Sequence, residues 1–222
     1  MPDTAPSDSS VAEVPTSEPV RKRPKPGERR VQILQMLAVM LEQPGAERVT
    51  TAALAARLEV SEAALYRHFA SKAQMFEGLI DFIESSVFTL VNQITERAPA
   101  GEDASSAAEA GARQAGQLVA MLLQFAEKNP GMTRVMVGDA LVFEHERLQQ
   151  RMNQFFDKIE ATLRQCLRPV AEQGGSAMPT VDTQVRASVL TAFVVGRLQR
   201  FARSGFRRLP SEYLEQSLQR ML

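Results

Sequence analysis

Cysteine is almost missing from this chain. Cys166 stands alone among 222 residues, which excludes an internal disulfide and a zinc site built on several thiolates. Histidine is nearly as scarce, with His68 and His145 far apart. Neither sits beside a nucleophile and an acid at recognisable spacing, and His145 offers nothing beyond an exposed helical position. There is no Gly-rich phosphate loop and no HExxH arrangement. An enzyme is therefore not expected, and no metal or cofactor is called for. Long apolar runs are also lacking: no uncharged stretch reaches the roughly 18 residues a membrane helix needs. Residues 1–19 carry Asp3, Asp8, Glu13 and Glu18 and no base, the reverse of a secretory leader. The cytosol is the simplest compartment.

What the chain does have is an uneven distribution of charge. The formal net charge is zero, from 26 basic and 26 acidic residues. Residues 1–20 hold four acids and no base, whereas residues 21–72 hold ten Lys/Arg against five acids, a local +5. The remaining 150 residues are nearly balanced, with sixteen bases and seventeen acids. Positive charge gathered in one small region is what a nucleic-acid surface requires.

Six of the twelve prolines fall in residues 1–27, with several Ser and no apolar period. That segment reads as a disordered tail, first acidic and then basic through "RKRPKPGERR", able to lie along phosphates without reading sequence. Beyond it the chain reads as all-α. Leu34, Leu37, Ala38 and Leu41 follow the helical period up to Pro44-Gly45. Short helices are expected from Thr50 or Thr51 to Leu58 and from Ser61 to His68. A longer one starts at Ser71, with Gln74 completing a capping box, and runs to about Arg97. After the loop "APAGEDASS" come helices at 105–129, stopped by "NPG", and at 132–137. The longest is expected over 139–171, with Leu141, Leu148, Met152, Phe155, Ile159, Leu163, Cys166 and Val170 as its stripe. "EQGGSAMP" breaks the chain before helices at 181–204 and 211–221.

Between the two short helices "RLEVS" leaves only a turn, which is helix-turn-helix spacing. Leu65 and Phe69 face inward with Leu54, Leu58 and Val60. Arg67 centres the opposite side, flanked by Ala63, Ala64 and Tyr66. Small residues there let a helix press into the major groove, where alanine methyls meet thymine methyls. Ser61 can cap the second helix and offer its hydroxyl to a phosphate, and Thr50, with Thr51, holds the equivalent place on the first. Tyr66 and His68 suit backbone oxygens. Lys72 opens the next helix, whose N-terminal amides favour a phosphate.

The stretch "VTTAALAARLEVSEAALYRHFASKAQMF", Val49 to Phe76, resembles a TetR-type DNA-binding domain, with "LYRHF" and "SK" as its specific signature. The likeness extends to the SlmA-like nucleoid occlusion factors through "FAEKNPGMTRV", "ALVFEHERLQQRMNQFFDKIEATLRQCLR" and "RFARSGFRRLP", covering most of residues 28–210. It implies a small head at 28–70 and a helical body at 71–222 that forms a homodimer, with the helices at 139–171 and 181–204 paired across a two-fold axis. A two-fold dimer implies palindromic double-stranded DNA. The group binds dispersed chromosomal sites and, on DNA, contacts the tubulin-like division protein FtsZ, disrupting its polymers over the nucleoid. That contact would fall between the fourth and fifth helices, at Phe82, Leu90, Met121, Gln124, Lys128 and Asn129. A Met and Phe lining suits a flexible apolar tail, and Lys128 could pair with its acids. Leu90 and Gln124 depart from the family pattern, which has a basic and a small residue there. The late arginines Arg197, Arg200, Arg203, Arg207 and Arg208 read as a solvated face. The competing reading is a TetR-type repressor with a small apolar inducer in its body.

Overall fold

The computed structural model describes residues 27–43, 49–96 and 104–222. The expected tail, most of which precedes residue 27, the Pro44-Gly45 stop and the start of the 98–106 loop lie outside them. Among the described residues the fold is all helical: α1 Glu28–Leu41, α2 Thr51–Arg57, α3 Glu62–Tyr66, α4 Lys72–Thr95, α5 Ala104–Lys128, α6 Pro130–Met136, α7 Glu146–Gln173, α8 Pro179–Arg203 and α9 Leu214–Met221.

The starts of these helices are chemical. Thr50, Ser61 and Ser71 sit in extended conformation and accept a hydrogen bond from the backbone N–H three residues on, at 3.1, 3.3 and 3.2 Å. Each such cap stabilises its helix by about 1 kcal/mol. The box expected at Ser71 is displaced by one residue, because Gln74 Oε1 accepts from the N–H of Ala70 rather than of Ser71 itself.

The helix expected over 139–171 is corrected by the structure. A single 3₁₀ turn spans Asp139–Leu141, the chain then leaves the helical path, and α7 begins only at Glu146. Leu141 and Leu148 are both fully buried with no buried residue between them, so a seven-residue spacing was satisfied by a turn and a loop as well as by two helical turns. His145 is the N-cap of α7: its Nδ1 accepts from the N–H of Arg147 at 3.2 Å. That is a structural role the sequence reading did not give it.

The head core joins Ile33, Leu37 and Leu41 of α1 to Leu54, Leu65 and Phe69, all at most 1% exposed. The body core lies among α5, α7 and α8, where Leu122, Phe155, Leu163, Leu190 and Val194 are fully buried. Burying each such side chain contributes about 1.5–3 kcal/mol. Phe155 takes the edges of Phe88 and Phe156, with ring centroids 5.6 and 5.1 Å away. Further along α7, Cys166 is buried, which pushes the thiol pKa up and keeps it protonated and unreactive at neutral pH.

Head meets body backbone to backbone at α6, and within the body α4 is tied to α7. At Gly131 of α6 an added Cβ would lie 1.9 Å from the carbonyl oxygen of Ala38, so α1 and α6 touch backbone to backbone. Along α4 a row of ion pairs fastens its first half to the start of α7 and the residues before it. Lys72 meets Glu144 at 2.5 Å, Glu77 meets Arg147 at 2.5 Å, and Arg151 bridges Asp81 and Glu84 at 2.9 and 2.6 Å. Burial alone would lower the pKa of Arg151, but hydrogen bonds to and charges on those two carboxylates outweigh it and raise it.

Candidate nucleic-acid interface

The turn between α2 and α3 is built as a helix ending. Glu59 N–H donates to Ala56 O and Val60 N–H to Ala55 O, at 3.2 and 3.0 Å, with Glu59 itself left-handed at φ 54°. This is a Schellman motif, and Val60 is the apolar residue that packs back against the helix it closes. The second helix is shorter than expected: α3 ends at Tyr66, with Arg67 as C-cap and a further turn closing His68 and Phe69 onto Leu65 O.

On the outer face the polar candidates hold one another. The Thr51 hydroxyl donates to Glu62 Oε2 at 2.6 Å, and the Tyr66 hydroxyl lies 3.4 Å from Thr51 Oγ1 as donor. The relay binds the start of α2 to both ends of α3. Thr50 and Ser61 use only a lone pair in capping, so each hydroxyl proton stays available for a phosphate oxygen. Ala63 is exposed and Ala64 half-buried, giving a low surface between the caps. Arg67 is exposed and in no ion pair among the described residues.

Two candidates sit differently. The His68 carbonyl accepts from the guanidinium of Arg30, which lies 4.1 Å over the Phe69 ring. His68 is thus fixed by its backbone, with a half-buried side chain. Lys72 is the first residue of α4, yet its ammonium is engaged by Glu144, which is 8% exposed. A phosphate would have to compete with that carboxylate. Neither Arg30 nor Glu62 was singled out from sequence, because the pairings span 38 and 11 residues.

The second group of candidates lies on α4 and α5. Leu90, Gln93 and Ile94 on one helix face Gln117, Ala120, Met121 and Gln124 on the other across a groove of about 290 Å³. The Gln114 side-chain amide closes one end, 3.3 Å from the carbonyls of Ile94 and Thr95. Leu90, Met121 and Gln124 are thereby brought together. Phe82, two turns earlier on α4, is 47% exposed and is not among the groove's lining residues. Lys128 is the exposed last residue of α5. Asn129 caps the turn into α6, its amide donating to Phe125 O at 2.8 Å. Gln93, Ile94, Gln117 and Ala120 were missed, although positions 90, 93 and 94 and positions 117, 120, 121 and 124 follow the helical period.

Comparison with known proteins finds family matches in both the head and the body. Residues 33–79 match the family described as bacterial regulatory proteins, tetR family. Residues 113–222 match the SlmA-like family described as tetracyclin repressor-like, C-terminal domain. Similar curated proteins include the nucleoid occlusion factor SlmA of Idiomarina loihiensis, 46% identical over 193 residues, 87% of this chain and 93% of that one. The protein of the same name from Aliivibrio fischeri is 49% identical over 190 residues, covering 85% of this chain and 91% of its own. Among solved structures, the fatty acid degradation regulator FadR of Bacillus halodurans superposes with a TM-score of 0.67 at 14% identity, over 88% of this chain and 95% of its own. A TetR-family regulator from Bordetella parapertussis gives 0.63 at 17% identity, over 88% and 95%. At such identities these two show the fold alone.

Proposed function

This chain belongs to the SlmA-like branch of the TetR-type DNA-binding proteins, and we propose from that membership that it is a DNA-associated inhibitor of cell division. In this reading a homodimer binds dispersed palindromic sites on the chromosome and, while bound, contacts FtsZ and disrupts its polymers. The division ring then does not form over the nucleoid. The protein acts in the cytoplasm, on the nucleoid, without catalysis. Among the described residues no helix is long and apolar enough to cross a membrane.

The observation that carries the reading is the 46–49% identity, over most of both chains, to proteins named nucleoid occlusion factor. The geometry supports each part. The free hydroxyl protons of Thr50 and Ser61 and the unpaired Arg67 suit phosphates, and the low Ala63–Ala64 surface suits a major groove. At the start of α8, the capping residue Met178 and then Val181, Val185 and Val189 are 49–62% exposed at spacings of three and four. Such a stripe on a soluble body suits burial against a second copy. The groove holding Leu90 and Met121 is open, with apolar walls interrupted by Gln93, Gln117 and Gln124, and suits a flexible partner segment.

Sedimentation of FtsZ polymers with this protein, with and without genome-selected palindromic duplex, tests the proposal. Loss of FtsZ from the pellet only when the duplex is present is the expected outcome. Duplex binding with no change in pelleted FtsZ would leave a TetR-type repressor instead.

A further inference from the structure

The arginines at the end of α8 read from sequence as a solvated face; in the fold they enclose a concavity. Arg197 and Arg200 lie one turn apart on α8, and Ser204 ends that helix. The chain then reverses, with Gly205 N–H donating to Ala202 O and Phe206 N–H to Phe201 O at 3.1 and 2.9 Å. Ser204 Oγ accepts from the N–H groups of both Arg207 and Arg208, at 3.1 and 2.9 Å, while Arg207 Nε donates to Ser204 O at 3.0 Å. The Phe206 ring meets the edge of Phe201 at 5.1 Å and carries the Arg134 guanidinium on its face. Further on, Ser211 N–H donates to Glu127 Oε1 at 2.9 Å. The loop is therefore held along its length rather than draped over the body.

Its consequence is that Arg197, Arg200, Arg207 and Arg208 line one opening of about 720 Å³, with Tyr213 as another wall. Glu212 is the single carboxylate in that lining, so four positive charges face one negative charge. Elsewhere Arg113, Arg147, Arg151 and Arg168 each have a carboxylate within ion-pair distance. Arg197, Arg200, Arg207 and Arg208 have none among the described residues. Arg197 is steadied by the Phe193 ring at 4.9 Å and by Ser217 Oγ. Like charges gathered on a pinned loop repel one another, and an anion relieves that repulsion.

We propose that this concavity binds a nucleoside di- or triphosphate. Guanidinium forks match phosphate oxygens in pairs, and the volume lies in the range of small-ligand sites. Tyr213, 69% exposed, supplies a face on which a base stacks. The inference is independent of the division role.

The test is calorimetric titration of the full chain, free of DNA, with GTP, ATP and inorganic triphosphate at about 0.1 M salt. Saturable nucleotide binding is expected, weakened tenfold or more by Arg200→Gln with Arg208→Gln. Tyr213→Ala should weaken nucleotide binding at least threefold and leave inorganic triphosphate unchanged. Arg113→Gln with Arg168→Gln, remote from the loop, should leave both unchanged. Helical circular dichroism confirms that the variants fold. No saturation at millimolar nucleotide, or saturation indifferent to the Arg200 and Arg208 pair, overturns the site. Binding of inorganic triphosphate with no advantage from a base overturns the nucleotide assignment, as does an arginine effect on duplex DNA alone.

Discussion

The head and the α4–α5 groove are both proposed to meet partners, yet they are built on opposite plans. In the head most of the polar candidates are held in place before any partner arrives: Thr51 holds Glu62, Tyr66 reaches Thr51, and Thr50 and Ser61 cap their helices, leaving Arg67 free among the described residues. In the groove Leu90 and Met121 face open space, and the exposed Gln124 lies beside them. A duplex is stiff and presents its phosphates at fixed spacing, so a reader gains by arranging donors in advance. A flexible peptide can shape itself to the wall it meets, and burial of apolar surface then supplies affinity without prior order.

The sharpest way to break this contrast is to unseat the head from the body. Gly131→Ala places a methyl about where the Ala38 carbonyl oxygen already is, and both sides of that contact are backbone. α1 and α6 must separate, at a cost of at least about 3 kcal/mol. Thermal unfolding should show a fall of roughly 6 °C or more, with weakened duplex binding. An unchanged midpoint would mean that the two helices are not docked there. Lys72→Met comes next. It leaves Glu144 nearly enclosed and unpaired, costing about 1–3 kcal/mol. If Lys72 serves the body rather than DNA, stability drops while affinity for duplex in the folded protein changes less than threefold. A loss of tenfold or more would return Lys72 to the phosphates.

A paired experiment separates the two surfaces. Arg67→Ala should weaken duplex binding about tenfold or more and lower its salt dependence by about one phosphate contact, leaving FtsZ pelleting at saturating duplex as before. Leu90→Glu should reduce FtsZ association about tenfold by charging the apolar wall, with duplex affinity untouched. If either substitution affected both partners, the surfaces would not be separate.

Local rules made much of the head legible in advance. Ser or Thr before a helix, an inward Leu65–Phe69 pair and a short connection each depend on residues a few places apart. The groove was legible only in part. Resemblance pointed to Leu90, Met121 and Gln124, and the period of α4 and α5 would have added Gln93, Ile94, Gln117 and Ala120. Which faces of two helices oppose each other is a tertiary fact. The same holds for the ion pairs of α4 with α7, formed across 67 or more residues. The arginine opening was unreadable for another reason. Gly205 announces the end of α8, but the opening also needs a second left-handed residue, Phe206 at φ 62°, which is not a type that announces one.

The smallest effect belongs to the turn of the head itself. α7 and α8 end in the same motif as α2, but the left-handed residue is Gly175 in one and Gly205 in the other, where α2 has Glu59. A side chain in that conformation costs about 1 kcal/mol, which Glu59→Gly removes. Against it stands the added freedom of glycine in the unfolded chain, about 0.4–1 kcal/mol, and whatever contact the Glu59 side chain makes. The sum should lie between zero and about 0.6 kcal/mol of added stability, read as a rise of up to roughly 2 °C in thermal midpoint. Because the backbone turn is kept, the spacing of Thr50 and Ser61 is kept, and duplex affinity should change less than twofold. A fall in the midpoint would show that what the Glu59 side chain contributes outweighs the strain. The turn would then be held by its side chain as well as by its backbone bonds.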